Sequence, residues 1–222
     1  MRRRAGAWGL LAIVLLSPAA AIEKMGANAG IRVLLHVDLA TDVDEGELTD
    51  DPCLSLPPVT RVEEFTVDYD GEADTVWVWV YLHHPGDLAV KAFGFAIDYE
   101  GVDVVTSGSC GRMVYQNEET MGKWADPGAE IAFSWTEEQY PNGKLAPVAW
   151  FLLNRTERNG YFAIRPGKTP MGNGVADTSK PTIQDAFWAT GKIGFGDVPG
   201  ELPIVLPGEV PGSHGAVGVG IR

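Results

Sequence analysis

The sequence predicts an all-β protein, folded as a two-sheet antiparallel sandwich of the jelly-roll or immunoglobulin type with about nine or ten strands. Gly and Pro supply 27 and 15 of the 222 residues, which suits a chain with many turns. Short runs rich in β-branched or aromatic residues recur between Gly, Pro, Asn and Asp. No stretch keeps a helical apolar period for three turns, so a fold of alternating strands and helices is not expected.

The predicted strands follow from alternating apolar residues. Residues 31–38 have an aliphatic face, formed by Ile31, Val33, Leu35 and Val37. Residues 75–82 are apolar on both faces, one rich in valine and one aromatic, which predicts a central strand. Residues 91–99 carry large side chains on one face, namely Phe93, Phe95, Ile97 and Tyr99. Further strands are predicted at 65–69, 102–106, 130–135, 145–153, 161–165, 183–188 and 192–195.

Residues 1–21 have the three parts of a secretory signal peptide. Three arginines precede an apolar stretch of ten residues, Ala7 to Leu16, and Ala19-Ala20-Ala21 fits a small-residue cleavage site. The mature protein is therefore expected to be secreted, to the extracellular space or the periplasm. Cleavage leaves 14 basic and 30 acidic residues, a net charge of −16. That charge excludes nucleic-acid binding, and no second apolar run is long enough to insert into a membrane.

Three segments are expected after the leader. Residues 22–60 contain the first strand and an acidic loop, residues 61–197 form the sandwich, and residues 198–222 form a Pro/Gly-rich tail. In the tail, prolines recur at every fourth position from Pro199 to Pro211. Because proline cannot donate ladder hydrogen bonds, the tail is predicted to be extended and dispensable for stability.

The chain has two cysteines, Cys53 and Cys110. An even number of cysteines in an exported protein predicts a disulfide, and two unpaired thiols are the alternative. The bond would close a loop of 58 residues.

Four acidic residues at alternate positions form a candidate calcium site: Asp68, Asp70, Glu72 and Asp74. Calcium takes six to eight oxygen ligands, and alternating acids in a tight loop can supply several of them. The alternative is a polar hairpin turn with Asp70-Gly71 as its turn dipeptide. Residues 40–51 hold a denser acidic cluster, which is interpreted as a solvated loop that calcium could bridge. No other cofactor is expected.

The sequence does not predict an enzyme. No histidine is spaced to pair with a nucleophile or to form a metal signature. Glutamates at 118–119 and 137–138 would act as a glycosidase pair only at a separation that the sequence does not define. Trp124 lies in a predicted loop over residues 108–128 and is the candidate ligand contact, because an exposed indole can stack on a sugar ring. The alternative is that Trp124 is a core residue, the ordinary role of tryptophan.

Residues 90–105, from Val90-Lys91-Ala92-Phe93 to Val102-Asp103-Val104-Val105, resemble the early strand pair of cohesin domains. Later segments match that family in the same order: 130–135, 143–151, 175–179 and 190–195. The resemblance covers about residues 61–197. Tyr99-Glu100 replaces the usual Tyr-Asp of the family, and Pro147 interrupts a strand that is normally continuous. A proline there favours an edge strand or a β-bulge.

The cohesin resemblance implies a non-catalytic, carbohydrate-binding-module-like sandwich that binds through one exposed sheet face. Its partner would be a protein, such as a dockerin-like helical module. Two further functions remain open on the sequence. One is a sandwich of the same architecture that binds polysaccharide, and the other is a structural or adhesive surface protein.

Overall fold

The computed structural model describes residues 26–40, 53, 59–111 and 113–203, and these residues form two β-sheets packed face to face. Sheet A has the order β12 (Ala189–Thr190), β1 (Arg32–Leu39), β3 (Thr75–His83), β8 (Leu145–Arg155) and β5 (Val102–Ser109). Sheet B has the order β11 (Gln184–Asp185), β10 (Gly174–Asp177), β4 (Val90–Glu100), β9 (Gly160–Arg165), β13 (Lys192–Phe195) and β2 (Asp68–Tyr69). In addition, β7 (Glu130–Ser134) pairs with β4, and β6 (Met113–Tyr115) pairs with β7.

The described part of the chain contains little helical structure. A four-residue helix, α1, spans Glu118–Met121, and 3-10 turns span Val62–Glu64 and Glu137–Gln139. Within those described ranges, the structure contains no helix of the length and apolar character needed to cross a membrane.

The all-β sandwich predicted from the sequence is confirmed, with two corrections. The described residues contain thirteen strands rather than nine or ten, because several are only two or three residues long. The sheets are also mixed rather than purely antiparallel. β12 pairs parallel to β1, and β2 pairs parallel to β13, so both parallel contacts join short edge strands to longer ones.

The core between the sheets is formed by the faces that alternation predicted. Val33, Leu35 and Val37 of β1 are at most 3% exposed. From sheet B, Phe93, Phe95 and Ile97 of β4 are also buried. Aromatic rings join the two sheets, with the centroids of Phe151 in β8 and Phe162 in β9 4.7 Å apart. These contacts bury a large apolar surface between the sheets, which supplies the main driving force for folding.

The aromatic face of β3 lies outside this core, in a second apolar cluster on the outer surface of sheet A. Trp77, Trp79 and Tyr81 are buried there beside Trp150 of β8. Val59, Val62 and Phe65, in a segment that we call the covering segment (residues 59–67), pack against them. The central position predicted for β3 is confirmed, and its two apolar faces are explained by burial on both sides of the sheet.

The predicted disulfide is present. The Cα atoms of Cys53 and Cys110 are 5.7 Å apart and their sulfur atoms are bonded. Cys53 packs against the outer cluster of sheet A, and Cys110 directly follows β5. The bond therefore fastens the chain just before the covering segment to the end of an edge strand of sheet A.

Pro147 lies in β8, between β3 and β5, at an irregular point of the strand. Val80 pairs with Ala149 and Tyr81 pairs with Pro147, which leaves Val148 as one extra residue in β8. The predicted bulge is therefore confirmed. The pairing of β5 with β8 ends at Ala149, so Pro147 faces β3 alone in this register.

The sandwich continues beyond the boundary predicted at residue 197. Glu201 and Lys192 exchange backbone hydrogen bonds of 2.7 and 3.0 Å, and Leu202 is 8% exposed in the outer cluster. Gly200 donates its N–H to Asp68 Oδ1 at 2.6 Å, and a Cβ atom at Gly200 would lie 2.1 Å from the Val67 carbonyl oxygen. This close approach explains how a Pro/Gly-rich segment packs against a sheet. Residues 1–25 and 204–222, with the predicted leader and most of the predicted tail, lie outside the described residues.

Truncation after Asp197 should lower the melting temperature by about 5–10 °C. The change removes the burial of Leu202 and the hydrogen bonds of Gly200 and Glu201, about 2–3 kcal/mol, and each kcal/mol corresponds to about 2–4 °C at this size. A chain that ends at Pro203 keeps these contacts and is the control. Equal melting temperatures for the two truncated chains would show that residues 198–203 do not stabilise the sandwich.

Candidate binding surfaces

The four acids of the candidate calcium site lie where the chain crosses from one sheet to the other. β2 belongs to sheet B and β3 to sheet A, so residues 70–74 connect the sheets and the hairpin interpretation is wrong. The Asp68 carboxylate accepts the Gly200 N–H. The guanidinium group of Arg155 donates to the Gly71 carbonyl at 2.6 Å and lies 5.4 Å from the centre of the Tyr69 ring. A cationic side chain thus bonds a carbonyl group in the middle of this segment.

Among the described residues, no group of three or more His, Cys, Asp or Glu side chains could hold a metal ion. The structure therefore does not bring Asp68, Asp70, Glu72 and Asp74 together as calcium ligands. The acidic residues at 41–51 lie outside the described residues.

Trp124, the predicted ligand contact, is half-buried rather than exposed in a loop. Its ring centroid lies 6.3 Å from that of Phe95 and 6.0 Å from that of Phe151, at interplanar angles of 72° and 43°. Its Nε1 donates a hydrogen bond of 3.1 Å to Ser107 Oγ. The expectation of a free indole platform is thus corrected, because core rings and β5 hold the side chain in place. Contact of Trp124 with a ligand stays a prediction.

Trp124 lines a cavity of about 210 Å³ between the two sheets, which we call the Trp124 cavity. The cavity lies between β5 of sheet A and β7 of sheet B, at the side where the chain passes from β5 to β6. Its lining is mostly apolar and consists of Phe95, Ser107, Gly108, Ser109, Val114, Trp124, Ile131, Phe133, Ala149 and Phe151.

A second candidate surface lies on the outer face of sheet B, where β4 pairs with β9. We call it the Tyr161 patch and define it by Asp98, Glu100, Tyr161 and Arg165. Glu100 pairs with Tyr161 in the register of the two strands, and Arg165 pairs with Ala96. Tyr161 Oη donates to Asp98 Oδ2 at 3.2 Å, and Arg165 Nε lies 3.7 Å from the same oxygen. The Asp98 carboxylate thus accepts a hydrogen bond from a tyrosine and lies in ion-pair range of an arginine on one sheet face.

Negative charge surrounds the tyrosines at this end of β4. Partial burial raises the pKa of Tyr161 above its usual value, and the carboxylates of Asp98 and Glu100 raise it further. Burial likewise raises the pKa of Tyr99, and Asp126 and Asp103 add to the effect. Both tyrosines therefore stay protonated at neutral pH, and the Tyr161 hydroxyl remains a hydrogen-bond donor within an acidic surface.

The Tyr161 patch was not among the site residues predicted from the sequence. Alternation along residues 91–99 places Asp98 on the face opposite Phe95 and Ile97, which was a usable signal. The pairing of β9 with β4 could not be predicted in this way, because the two strands are about sixty residues apart and their pairing depends on the whole fold.

No protein-family model matches the chain, and no curated protein shows significant similarity to it. Among solved structures, the chain is similar to a cohesin module from a family 33 glycoside hydrolase of Clostridium perfringens. The similarity has a TM-score of 0.40 and 8% sequence identity, and it covers 59% of this chain and 90% of that module. It extends at most to the β-sandwich arrangement.

Proposed function

We propose that this protein is a secreted, non-catalytic module that binds a protein partner through the Tyr161 patch. Three properties of the chain support the proposal. Residues 1–21 have the pattern of a secretory leader. The Cys53–Cys110 disulfide suits an oxidising compartment outside the cell. The motifs at 90–105 and in the later strands resemble a family of extracellular interaction domains.

The arrangement around Tyr161 is the observation that carries the proposal. Tyrosine and arginine are enriched among the residues that dominate binding energy at protein interfaces. Here both side chains lie on one sheet face beside the same carboxylate. The hydrogen bond from Tyr161 to Asp98 restricts the tyrosine before binding, so less conformational freedom would be lost there. The net charge of −13 for the whole chain favours a basic partner, or one that carries bound cations.

The partner can be isolated from the secreted proteins of the source organism, with the mature protein as bait. We expect Tyr161→Ala to weaken the captured complex by about thirtyfold, the loss typical of an interface hot spot. Tyr115→Ala is the matched control, because Tyr115 is a 45% exposed tyrosine on β6, away from the patch. Equal affinities of the two variants would exclude the Tyr161 patch as the interface.

Charge reversal at Glu100 gives a second, kinetic test of the same surface. Glu100 is exposed at the end of β4, so Glu100→Lys should leave the fold intact and slow association with a basic partner. The effect should shrink as salt is added, because salt screens long-range attraction.

Two other results would contradict the proposal. If the pull-down captures no protein and the mature protein is retained on cellulose, xylan or chitin, the ligand is a polysaccharide and not a protein. Turnover of a glycoside, ester or peptide that a single Asp or Glu substitution abolishes would contradict the non-catalytic assignment.

A further inference from the structure

The Trp124 cavity reaches from the side of the sandwich into its aromatic core. Its inner wall is formed by Phe95, Phe133 and Phe151, which are 1–3% exposed. Val114 lines the same cavity but is 57% exposed, so it marks the mouth. A molecule that enters past Val114 would therefore pass from solvent into a site walled by buried rings.

The lining side chains Ser107, Ser109 and Trp124 each make a hydrogen bond within the protein. Ser107 Oγ accepts the Trp124 Nε1–H at 3.1 Å, and the Ser109 hydroxyl donates to the Gly111 carbonyl at 3.0 Å. None of the described residues that line the cavity carries a charge. A charged ligand would lose its hydration there without gaining a counter-charge, and a sugar would leave several hydroxyl groups unpaired. The cavity chemistry therefore selects a neutral, apolar occupant.

The size of the cavity sets the size of that occupant. An apolar cavity of about 150 Å³ in a protein core binds benzene, and apolar cavities of that kind stay free of water. At about 210 Å³, the Trp124 cavity has room for one aromatic ring with a small substituent. Phe133 already meets Phe95 edge to face, at 85°, so an entering ring would find both ring faces and ring edges to pack against.

We propose that the Trp124 cavity is a binding site for a small, neutral, apolar molecule of the size of one substituted aromatic ring. The cavity and the Tyr161 patch share no residue. This site therefore does not depend on the proposed protein partner, and the two proposals can fail separately.

Toluene is a suitable probe, with binding measured by NMR on the methyl groups of the full-length mature protein. We expect saturable shifts for the methyl groups of Val114, Ile131 and Ala149 within the aqueous solubility of toluene. Benzoate has a similar ring and a negative charge, and it should cause no saturable shift of these methyl groups. Glu100→Lys, which alters the Tyr161 patch, should leave the toluene shifts unchanged.

Val114→Trp should fill the mouth of the cavity and weaken toluene binding by about tenfold or more. Val105→Trp is the matched control, because Val105 is a 49% exposed valine on β5 that does not line the cavity. Ile131→Trp closes the same cavity from β7 and serves as the second variant if Val114→Trp fails to fold. The proposal is overturned by an absence of saturable shifts in the unmodified protein. Equal toluene affinity of the blocked and control variants also overturns it.

Discussion

Replacement of both Cys53 and Cys110 by alanine should lower the free energy of unfolding by about 4 kcal/mol. The bond closes a loop of 58 residues, and the chain-entropy treatment of a loop of that length gives about this value. The unfolded chain without the bond gains conformational freedom, whereas the folded chain keeps its packing. Denaturation in urea, followed by far-ultraviolet circular dichroism, measures the change.

The position of the disulfide also predicts where the loss of stability begins. Cys53 packs beside the outer cluster of Trp77, Trp79 and Trp150. Without the bond, amide hydrogen exchange should speed up first in the covering segment, while the inner strands β4 and β9 stay protected. A loss below about 1 kcal/mol, or uniform exchange across both regions, would show that the bond does not hold the covering segment on sheet A.

The inner core could be predicted from the sequence because its signal is local. Alternation in β1 and β4 needs only the period of two residues along an extended chain, and the predicted faces match the buried ones. The double apolar face of residues 75–82 likewise indicated burial on both sides. Alternation does not show which part of the chain covers the outer face of sheet A. The sequence of the covering segment, residues 59–67, does not indicate which strands it packs against.

The expected exposure of Trp124 was wrong for a related reason. A tryptophan between Lys123 and Asp126 suggests an exposed loop when only its neighbours are considered. In the structure, the Gly128 N–H donates to the Ile97 carbonyl and the Ile97 N–H donates to the Ala129 carbonyl. These bonds bring the loop against β4, and the indole reaches Phe95 and Phe151. Burial of a large aromatic side chain is favourable enough to overcome the polar character of its neighbours.

The burial of acidic side chains could not be predicted from sequence patterns either. Glu130 is 2% exposed and accepts hydrogen bonds from the N–H groups of Lys168 and Thr169 and from the Thr169 hydroxyl. Burial alone would raise the pKa of Asp177. Hydrogen bonds from Ile183, Ser179 and Ala27 outweigh burial and lower that pKa below its usual value. These donors are backbone and hydroxyl groups that any sequence offers at many places, so the pairs appear only in the folded chain.

Phe162→Ala should lower the free energy of unfolding by about 3–5 kcal/mol, because it opens a cavity at the centre of the core. Phe162 is fully buried in β9 and its ring lies 4.7 Å from Phe151 and 6.2 Å from Tyr99. These contacts join β8 of sheet A to β4 and β9 of sheet B. The lost ring therefore weakens the packing between the sheets as well as within one of them.

Two matched variants separate the loss of packing from other effects of Phe162→Ala. Phe162→Leu keeps most of the apolar volume and should cost less than about 1.5 kcal/mol. Glu157→Ala, at an exposed position in the turn between β8 and β9, should change stability by less than about 0.5 kcal/mol. Urea denaturation of the three variants gives the comparison. If alanine and leucine at position 162 cost the same, the ring of Phe162 does not fill the space between the sheets.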